Sequence, residues 1–349
     1  MAVDLKREVR KASFQNRSEG GDAGACTCAY RKEKIRTTVI TGFLGAGKTT
    51  LLNSILAQAD GTIDVLEREY GEVPVDDRLL RGLPEERLHV FFGVTLHDHP
   101  QLVLHDYLHR IAMEDTGRRM RRLLLETSGL DYPEDITELF MVGYVPQSYE
   151  LSSITVVVDG LFGNITLDEY RVAVEQAAYA DNIIISKADI APPEEIEVLR
   201  KRLHAINGMA DIVVADHGRV DAIKVLGGSL YEQLRSLQRT EGRQSMDGIT
   251  TRILTEERPL DKEKVNRWIN QLYKEHGNDI LRGKGFLYFE GDNYRYEFQS
   301  VRTAFHSQAN EQWRYGEKPG TTLVLIGKEI LNTLPLQEGL SACVFQEKP

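Results

Sequence analysis

Cysteine is scarce in this chain. Only Cys26, Cys28 and Cys343 occur, an odd and scattered set that fits a reducing cytoplasm better than a disulfide framework. Long apolar runs are missing as well. No stretch reaches the roughly 18 apolar residues of a membrane span, so none is expected. The opening Met1-Ala2-Val3-Asp4-Leu5-Lys6 lacks the apolar core of a secretory signal. Positive charge does not prevail: the formal net charge is −10, which argues against a nucleic-acid binder driven by phosphate contacts. No internal repeat is visible. The expectation is a cytoplasmic protein with no nucleic-acid or membrane partner. Its 349 residues, 41% of them hydrophobic, can bury a sizeable core and suggest about two domains.

Residues 1–34 read as a flexible arm. They are polar, contain Gly20-Gly21-Asp22-Ala23-Gly24 and show no long apolar period. From Ile35 onward, short β-branched or aliphatic runs recur at 37–40, 62–66, 88–92, 123–125, 154–158, 183–185 and 212–214. Helix-like segments separate most of them. Near-continuous apolar strands alternating with helices predict an α/β fold, with a doubly wound, mostly parallel sheet over residues 35–240. Residues 238–249 read as a polar linker. A smaller α+β domain is expected over 250–349, with strands at 251–256, 286–289, 294–298 and 322–326. Asp261 is placed to cap a helix whose apolar face is Val265, Trp268, Ile269 and Leu272.

Three stretches carry chemistry. The first is Gly42-Phe43-Leu44-Gly45-Ala46-Gly47-Lys48-Thr49-Thr50, which fits the phosphate-loop template G-x-x-x-x-G-K-[ST] between a strand and a helix. Gly42, Gly45, Ala46 and Gly47 let backbone N–H groups converge on phosphate oxygens, and the helix opening at Lys48, Thr49 and Thr50 adds its dipole. Lys48 bridges the β- and γ-phosphates, and Thr49 offers a hydroxyl to Mg²⁺. The second is Leu123-Leu124-Leu125-Glu126-Thr127-Ser128-Gly129-Leu130. A strand ends in a carboxylate, Glu126, suited to organise the Mg²⁺ shell, and Gly129 can present its N–H to the γ-phosphate. The third is Ile183-Ile184-Ile185-Ser186-Lys187-Ala188-Asp189. GTPases read guanine with N-K-x-D after such a strand. Asp189 accepts from the two donors on the guanine edge, which adenine does not present, and Lys187 packs its stem over the base. Ser186 replaces the usual Asn. The chemistry expected is attack of water on the γ-phosphate of GTP, with Lys48, Thr49 and Glu126 as the catalytic set. An ATP-driven enzyme is disfavoured by Asp189.

Together these motifs resemble the CobW-type GTPases, a family that includes zinc metallochaperones. Thr-Gly-Phe-Leu-Gly-Ala-Gly-Lys-Thr-Thr-Leu-Leu at 41–52 is that family's form of the phosphate loop. Glu67-Arg68-Glu69-Tyr70-Gly71-Glu72-Val73 is similar to its E-N-E-F-G-E-V, and Glu126-Thr127-Ser128-Gly129-Leu130 to its E-T-x-G-L. Val157-Val158-Asp159, Ile206-Asn207, Arg282-Gly283-Lys284-Gly285, Gln299-Ser300-Val301, Trp313 and the strand at 322–327 extend the likeness over roughly residues 36–330. The resemblance implies a GTP- and Mg²⁺-dependent protein that delivers zinc or cobalt to a client metalloprotein. Relatives hydrolyse GTP slowly alone, so a second copy in a homodimer, or the client, is a candidate to complete the site. Two departures stand out. The family's C-x-C-C metal loop is replaced by Phe92-Gly93-Val94-Thr95-Leu96-His97-Asp98-His99, and its G-L-A-D-P by Gly129-Leu130-Asp131-Tyr132-Pro133.

The missing thiolates turn attention to histidine. His97 and His99 would point to one side of an extended loop, Pro100 suits the first position of a helix, and His105 and His109 would share that helix's face. Imidazole suits Zn²⁺ and Co²⁺, and Glu67 could add an oxygen, as its family counterpart lies at the metal loop. The competing reading makes these histidines ordinary polar positions flanking Leu104, Tyr107, Leu108 and Ile111. Cys26-Thr27-Cys28 is likewise either a soft-metal pair or two incidental thiols. The alternative function is therefore a GTP-gated switch that has lost metal binding.

Overall fold

In the computed structural model, residues 34–59, 63–70, 80, 83–93, 100–114, 120–141, 143–215, 218–226, 247–313 and 316–346 are described. The arm up to residue 33 with Cys26 and Cys28, residues 71–73, the loop with His97 and His99, and linker positions 238–246 lie outside them.

Seven parallel strands form the first sheet: β1 (Ile35–Thr41), β2 (Ile63–Tyr70), β3 (Leu88–Gly93), β4 (Arg122–Glu126), β5 (Tyr149–Asp159), β6 (Asn182–Ser186) and β7 (Asp211–Val214), in the order β3-β2-β4-β1-β5-β6-β7. All seven expected strands are present. They read as unbroken apolar runs because both faces are covered: Leu123, Leu124 and Leu125 of β4 are all buried. The chain order reverses at β1, so loops leaving β1, β4, β5 and β6 gather at one sheet edge. An open α/β sheet places ligands at such a point.

The described helices are α1 (Lys48–Leu56), α2 (Pro100–Glu114), α3 (Pro133–Leu139), α4 (Val145–Ser148), α5 (Gly163–Glu169), α6 (Arg171–Tyr179), α7 (Pro193–Ile206), α8 (Ala222–Leu226), α9 (Lys262–His276) and α10 (Leu336–Ser341). Pro100 opens α2 as expected. One face of the sheet packs Leu51, Leu52 and Ile55 of α1 against Val65, Leu124 and Ile184. The other packs Leu104, Leu108 and Ile111 of α2 and Leu199 and Leu203 of α7 against Leu66, Leu123, Leu125 and Ile183.

The second sheet is antiparallel, in the order β11-β10-β9-β12-β8. Its strands are β8 (Ile249–Glu256), β9 (Ile280–Leu287), β10 (Tyr294–Val301), β11 (Ala304–Gln312) and β12 (Thr321–Lys328). One face carries α9, whose Val265, Ile269, Leu272 and Tyr273 are buried and whose Asp261 cap accepts from the Lys264 N–H at 2.9 Å. The other face leans on α6, α7 and α3. Leu281, Phe286, Val301, Val324 and Ile326 join the core beneath the first sheet, so the apolar packing runs on between the two sheets. Buried there is Asp181, between α6 and β6. Its carboxylate accepts from Arg282 Nη2 at 2.8 Å, Lys284 Nζ at 2.6 Å and the Ile154 N–H at 2.7 Å.

Two expectations for this sheet need correction. β9 begins at Ile280, not Phe286, and β11 was not expected at all. Arg282 and Lys284 disguise β9, since cations belong in a buried strand only when a carboxylate meets them. Ala304-Phe305-His306-Ser307-Gln308-Ala309-Asn310-Glu311-Gln312 carries almost no apolar alternation because it is an edge strand.

Candidate nucleotide site

The loop from β1 into α1 is built on backbone that side chains oppose. Gly42 has φ 141°, and a Cβ there would lie 2.2 Å from the Val157 carbonyl oxygen on β5. Gly47 has φ 98° and is the N-cap of α1. No side chain caps that helix, and its first turn holds no acid, so its opening N–H groups and dipole are arranged for an anion. Gly45 is exposed at the tip and Ala46 is buried beneath it. Lys48 folds back and donates from Nζ to the Gly42 carbonyl at 3.0 Å. Thr50 is exposed on the first turn.

Beside this loop lies the acidic edge. Thr49 Oγ1 donates to Glu126 Oε1 at 3.5 Å. Glu67 is the cross-strand neighbour of Glu126 in the β2–β4 register. Alternation puts both carboxylates on the α1 side, because Val65 and Leu124, two residues back, belong to the core under α1. A hydroxyl and a carboxylate this close are hard oxygen donors of the kind Mg²⁺ takes, and the adjoining loop holds phosphate-compatible N–H groups, so the residues fit that ion. The turn after β4 is fixed from several sides. The Thr127 N–H donates to the Ile40 carbonyl at 3.0 Å, and Thr127 Oγ1 to Thr41 Oγ1 at 2.7 Å. Gln176 Nε2 on α6 donates to the carbonyls of Gly129 at 3.2 Å and Asp131 at 3.1 Å. A Cβ on Gly129 would sit 2.6 Å from the Leu44 nitrogen, so the turn lies against the phosphate loop.

The third stretch closes the site from the β6 side. Ser186 is buried, and its hydroxyl donates to the Ala46 carbonyl at 2.6 Å, tying the end of β6 to the phosphate loop. Lys187 takes φ 53° and donates from Nζ to Asp159 Oδ2 at 2.7 Å. Asp189 is exposed. Asp159, at the end of β5, also accepts from the Leu161 and Phe162 N–H groups through Oδ1, at 2.8 and 3.2 Å.

All the expected nucleotide residues thus lie at one sheet edge. The CobW/HypB/UreG nucleotide-binding domain matches residues 36–214, and the cobalamin synthesis protein CobW C-terminal domain matches residues 249–344. The chain belongs to the CobW family. It is 30% identical over 304 residues to the zinc chaperone YjiA of Escherichia coli (strain K12), covering 85% of this chain and 95% of that protein. It is 25% identical over 363 residues to a zinc chaperone CobW of a Sinorhizobium species, covering 91% of this chain and 99% of that protein. The crystal structure of Zn(II)-bound YjiA GTPase superposes with a TM-score of 0.62 at 27% identity, covering 90% of this chain and all of that one.

Within this CobW-family frame, the histidines divide. His105 Nε2 accepts the Tyr144 N–H at 3.0 Å, and the His109 ring lies 5.7 Å from the Tyr144 ring. His89 Nε2 pairs with Asp64 Oδ2 at 3.2 Å. These three therefore have structural partners, while His97 and His99 are outside the described residues. Among the described residues, no three of His, Cys, Asp and Glu are grouped to hold a metal ion. Sequence reading gave Asp159 no role toward Lys187. A carboxylate ending the strand beside the S-K-x-D strand was the available signal.

Proposed function

We propose that the protein binds GTP with Mg²⁺, hydrolyses it slowly on its own, and couples nucleotide state to delivery of zinc or cobalt to a client metalloprotein. The observation that carries the nucleotide half is the convergence of the phosphate loop, the Thr49–Glu126 pair and Ser186-Lys187-Asp189 around β1. When bound, Mg²⁺ offsets phosphate charge. Lys48 brings a cation to the β,γ-bridge, Thr49 and Glu126 supply oxygens, and the loop amides with Gly129 cradle the phosphates. Asp189 accepts from guanine's edge, and Lys187, steadied by Asp159, covers the base.

The metal half is supported by relatives named zinc chaperones, matched over nearly their full length. Glu67, His97 and His99 are the proposed ligands of the carried ion. A second reading, a GTP-gated switch without metal, is favoured by the absence of cysteine between Phe92 and His99. Calorimetric titration of Zn²⁺ and Co²⁺ separates the two. It compares the full chain with a His97→Ala/His99→Ala variant, about one pH unit above the ordinary imidazole pKa of about 6.5, with and without a non-hydrolysable GTP analogue. The expected result is metal binding that the variant loses and that the analogue changes. Metal and analogue must shift each other's affinity by the same factor. Binding should also weaken toward pH of about 6 as imidazole protonates. Equal metal binding by both proteins would leave the histidines as surface residues and favour the switch.

A further inference from the structure

Two residues that depart from the family's stretches meet in this structure. Arg68 stands where E-N-E-F-G-E-V has Asn, and Asp131 where G-L-A-D-P has Ala. Arg68 Nη1 pairs with Asp131 Oδ1, and the two side chains are 5% and 2% exposed. A cation and a carboxylate each replace a neutral residue, 63 positions apart in the chain, and each is the other's partner in the interior.

Their places explain what the pair can do. Arg68 is near the C-terminal end of β2. Strand alternation turns it away from Glu67 and the α1 side, toward the face where Leu66 and Leu125 are buried. Asp131 closes the turn that follows β4. Its Oδ2 accepts the Ser128 N–H at 2.9 Å, and its own N–H donates to the Ser128 carbonyl at 3.1 Å. One carboxylate thus binds the turn's own backbone with one oxygen and β2 with the other. Between the two anchor points sits Gly129, packed against the Leu44 nitrogen, with its carbonyl held by Gln176. The pair reaches the nucleotide site from behind the sheet, and the part it steadies is the turn that would meet a γ-phosphate.

We infer that Arg68 and Asp131 are positioning residues. Through the turn 127–132 they set the Gly129 N–H toward the phosphate loop before nucleotide arrives, so that preference for a nucleoside triphosphate over a diphosphate depends on them. A diphosphate ends short of Gly129 and gains nothing from the pre-set turn. A triphosphate binds without first ordering it. The inference rests on the GTP-binding reading above.

The test must separate positioning from mere stability, because either single neutral substitution takes the opposite charge away from a buried one and can prevent folding. The informative variant is therefore Arg68→Asn/Asp131→Ala, which removes both charges at once. Arg68→Lys serves as the conservative control. Affinities for GDP and for a non-hydrolysable GTP analogue are measured on the parent, the double variant and the control, together with amide hydrogen exchange over 127–132 without nucleotide. The double variant should keep its GDP affinity, lose about tenfold in analogue affinity, a coupling of ordinary allosteric size, and exchange faster over 127–132. The control should keep most of the parent's preference. Unchanged exchange with an unchanged analogue-to-GDP ratio would overturn the inference. So would an equal loss of both nucleotides, which marks a structural pair only. Failure of the parent to bind GTP would defeat the GTPase reading instead, and the exchange comparison would still decide whether the pair holds the turn.

Discussion

Ser186 makes with one hydroxyl a tether that reaches the phosphate loop, at 2.6 Å from the Ala46 carbonyl. The Ser186-Lys187-Ala188-Asp189 segment and the loop from β1 into α1 are therefore joined through the protein itself. Asp189 stands two residues beyond the αL corner at Lys187, exposed at the site's edge. Asp189→Asn replaces a double acceptor with an amide. It should weaken GTP binding by about tenfold to a hundredfold, from about 1.5–3 kcal/mol for hydrogen bonds to a charged group. It should also favour xanthosine nucleotides, whose edge offers an acceptor to the new amide donor. Titration of GTP, ATP and XTP against both proteins checks this, and a parent that binds ATP and GTP equally would rule out guanine reading. At this scale, the residues proposed to meet nucleotide stood out in the sequence, because phosphate and guanine demand fixed side chains at fixed spacing. Those that hold them, Asp159 and Gln176, were not, because many residues can supply a single hydrogen bond and only the fold says which one does.

At the scale of elements, α9 shows how local and tertiary signals agree. Its cap, its buried stripe and its closing Lys274 and His276 all point to one helix. Asp261→Ala removes the side-chain acceptor for the Lys264 N–H and should cost about 1 kcal/mol. Urea unfolding should show a lowered midpoint with an unchanged slope. The seven strands of the first sheet were legible for a related reason: burial on both faces leaves unbroken apolar runs. β9 was half hidden. Gly285 lies where a Cβ would meet the Thr322 carbonyl at 2.1 Å, and Gly283 where one would meet Tyr273 Oη at 2.7 Å. Its glycines thus answer to close neighbours, while its cations answer to Asp181. Neither cause can be seen within the strand's own sequence.

The whole molecule is held at the meeting of its two sheets by charge as well as apolar packing. Burial pushes the Asp181 carboxyl upward, but Arg282 and Lys284 outweigh it and hold the group below its ordinary 3.8. A depressed folded-state pKa adds stability at pH above that ordinary value, and the gain is lost as pH falls through the lower folded value. Asp181→Asn would take from two buried cations the carboxylate that both of them meet and should destabilise by about 3–5 kcal/mol. Unfolding midpoints followed from neutral pH into acid should fall less steeply in the variant, since its side chain does not titrate. A parallel acid slope in both proteins would refute this account of the cluster. Contacts spanning 101 and 103 residues leave no trace in local pattern, so the join between the sheets was not legible beforehand.

A contact of the second sheet with helices α3 and α6 bears on how force could pass through the molecule. Arg302 occupies the tight β10–β11 corner at φ 49°, a strained setting for a residue with a side chain. It is held by Glu134, by Glu175 at 3.7 Å and by the Asn278 carbonyl at 3.2 Å. Glu134 is the second residue of α3, a helix that starts two residues after Asp131. Any rotation of the turn after β4 would therefore pull a short helix whose near end is gripped by the second sheet. In mechanical terms the corner and the turn are the two ends of one lever, and under the proposed GTP-binding reading a load on the corner and a nucleotide in the site would each be felt by the other.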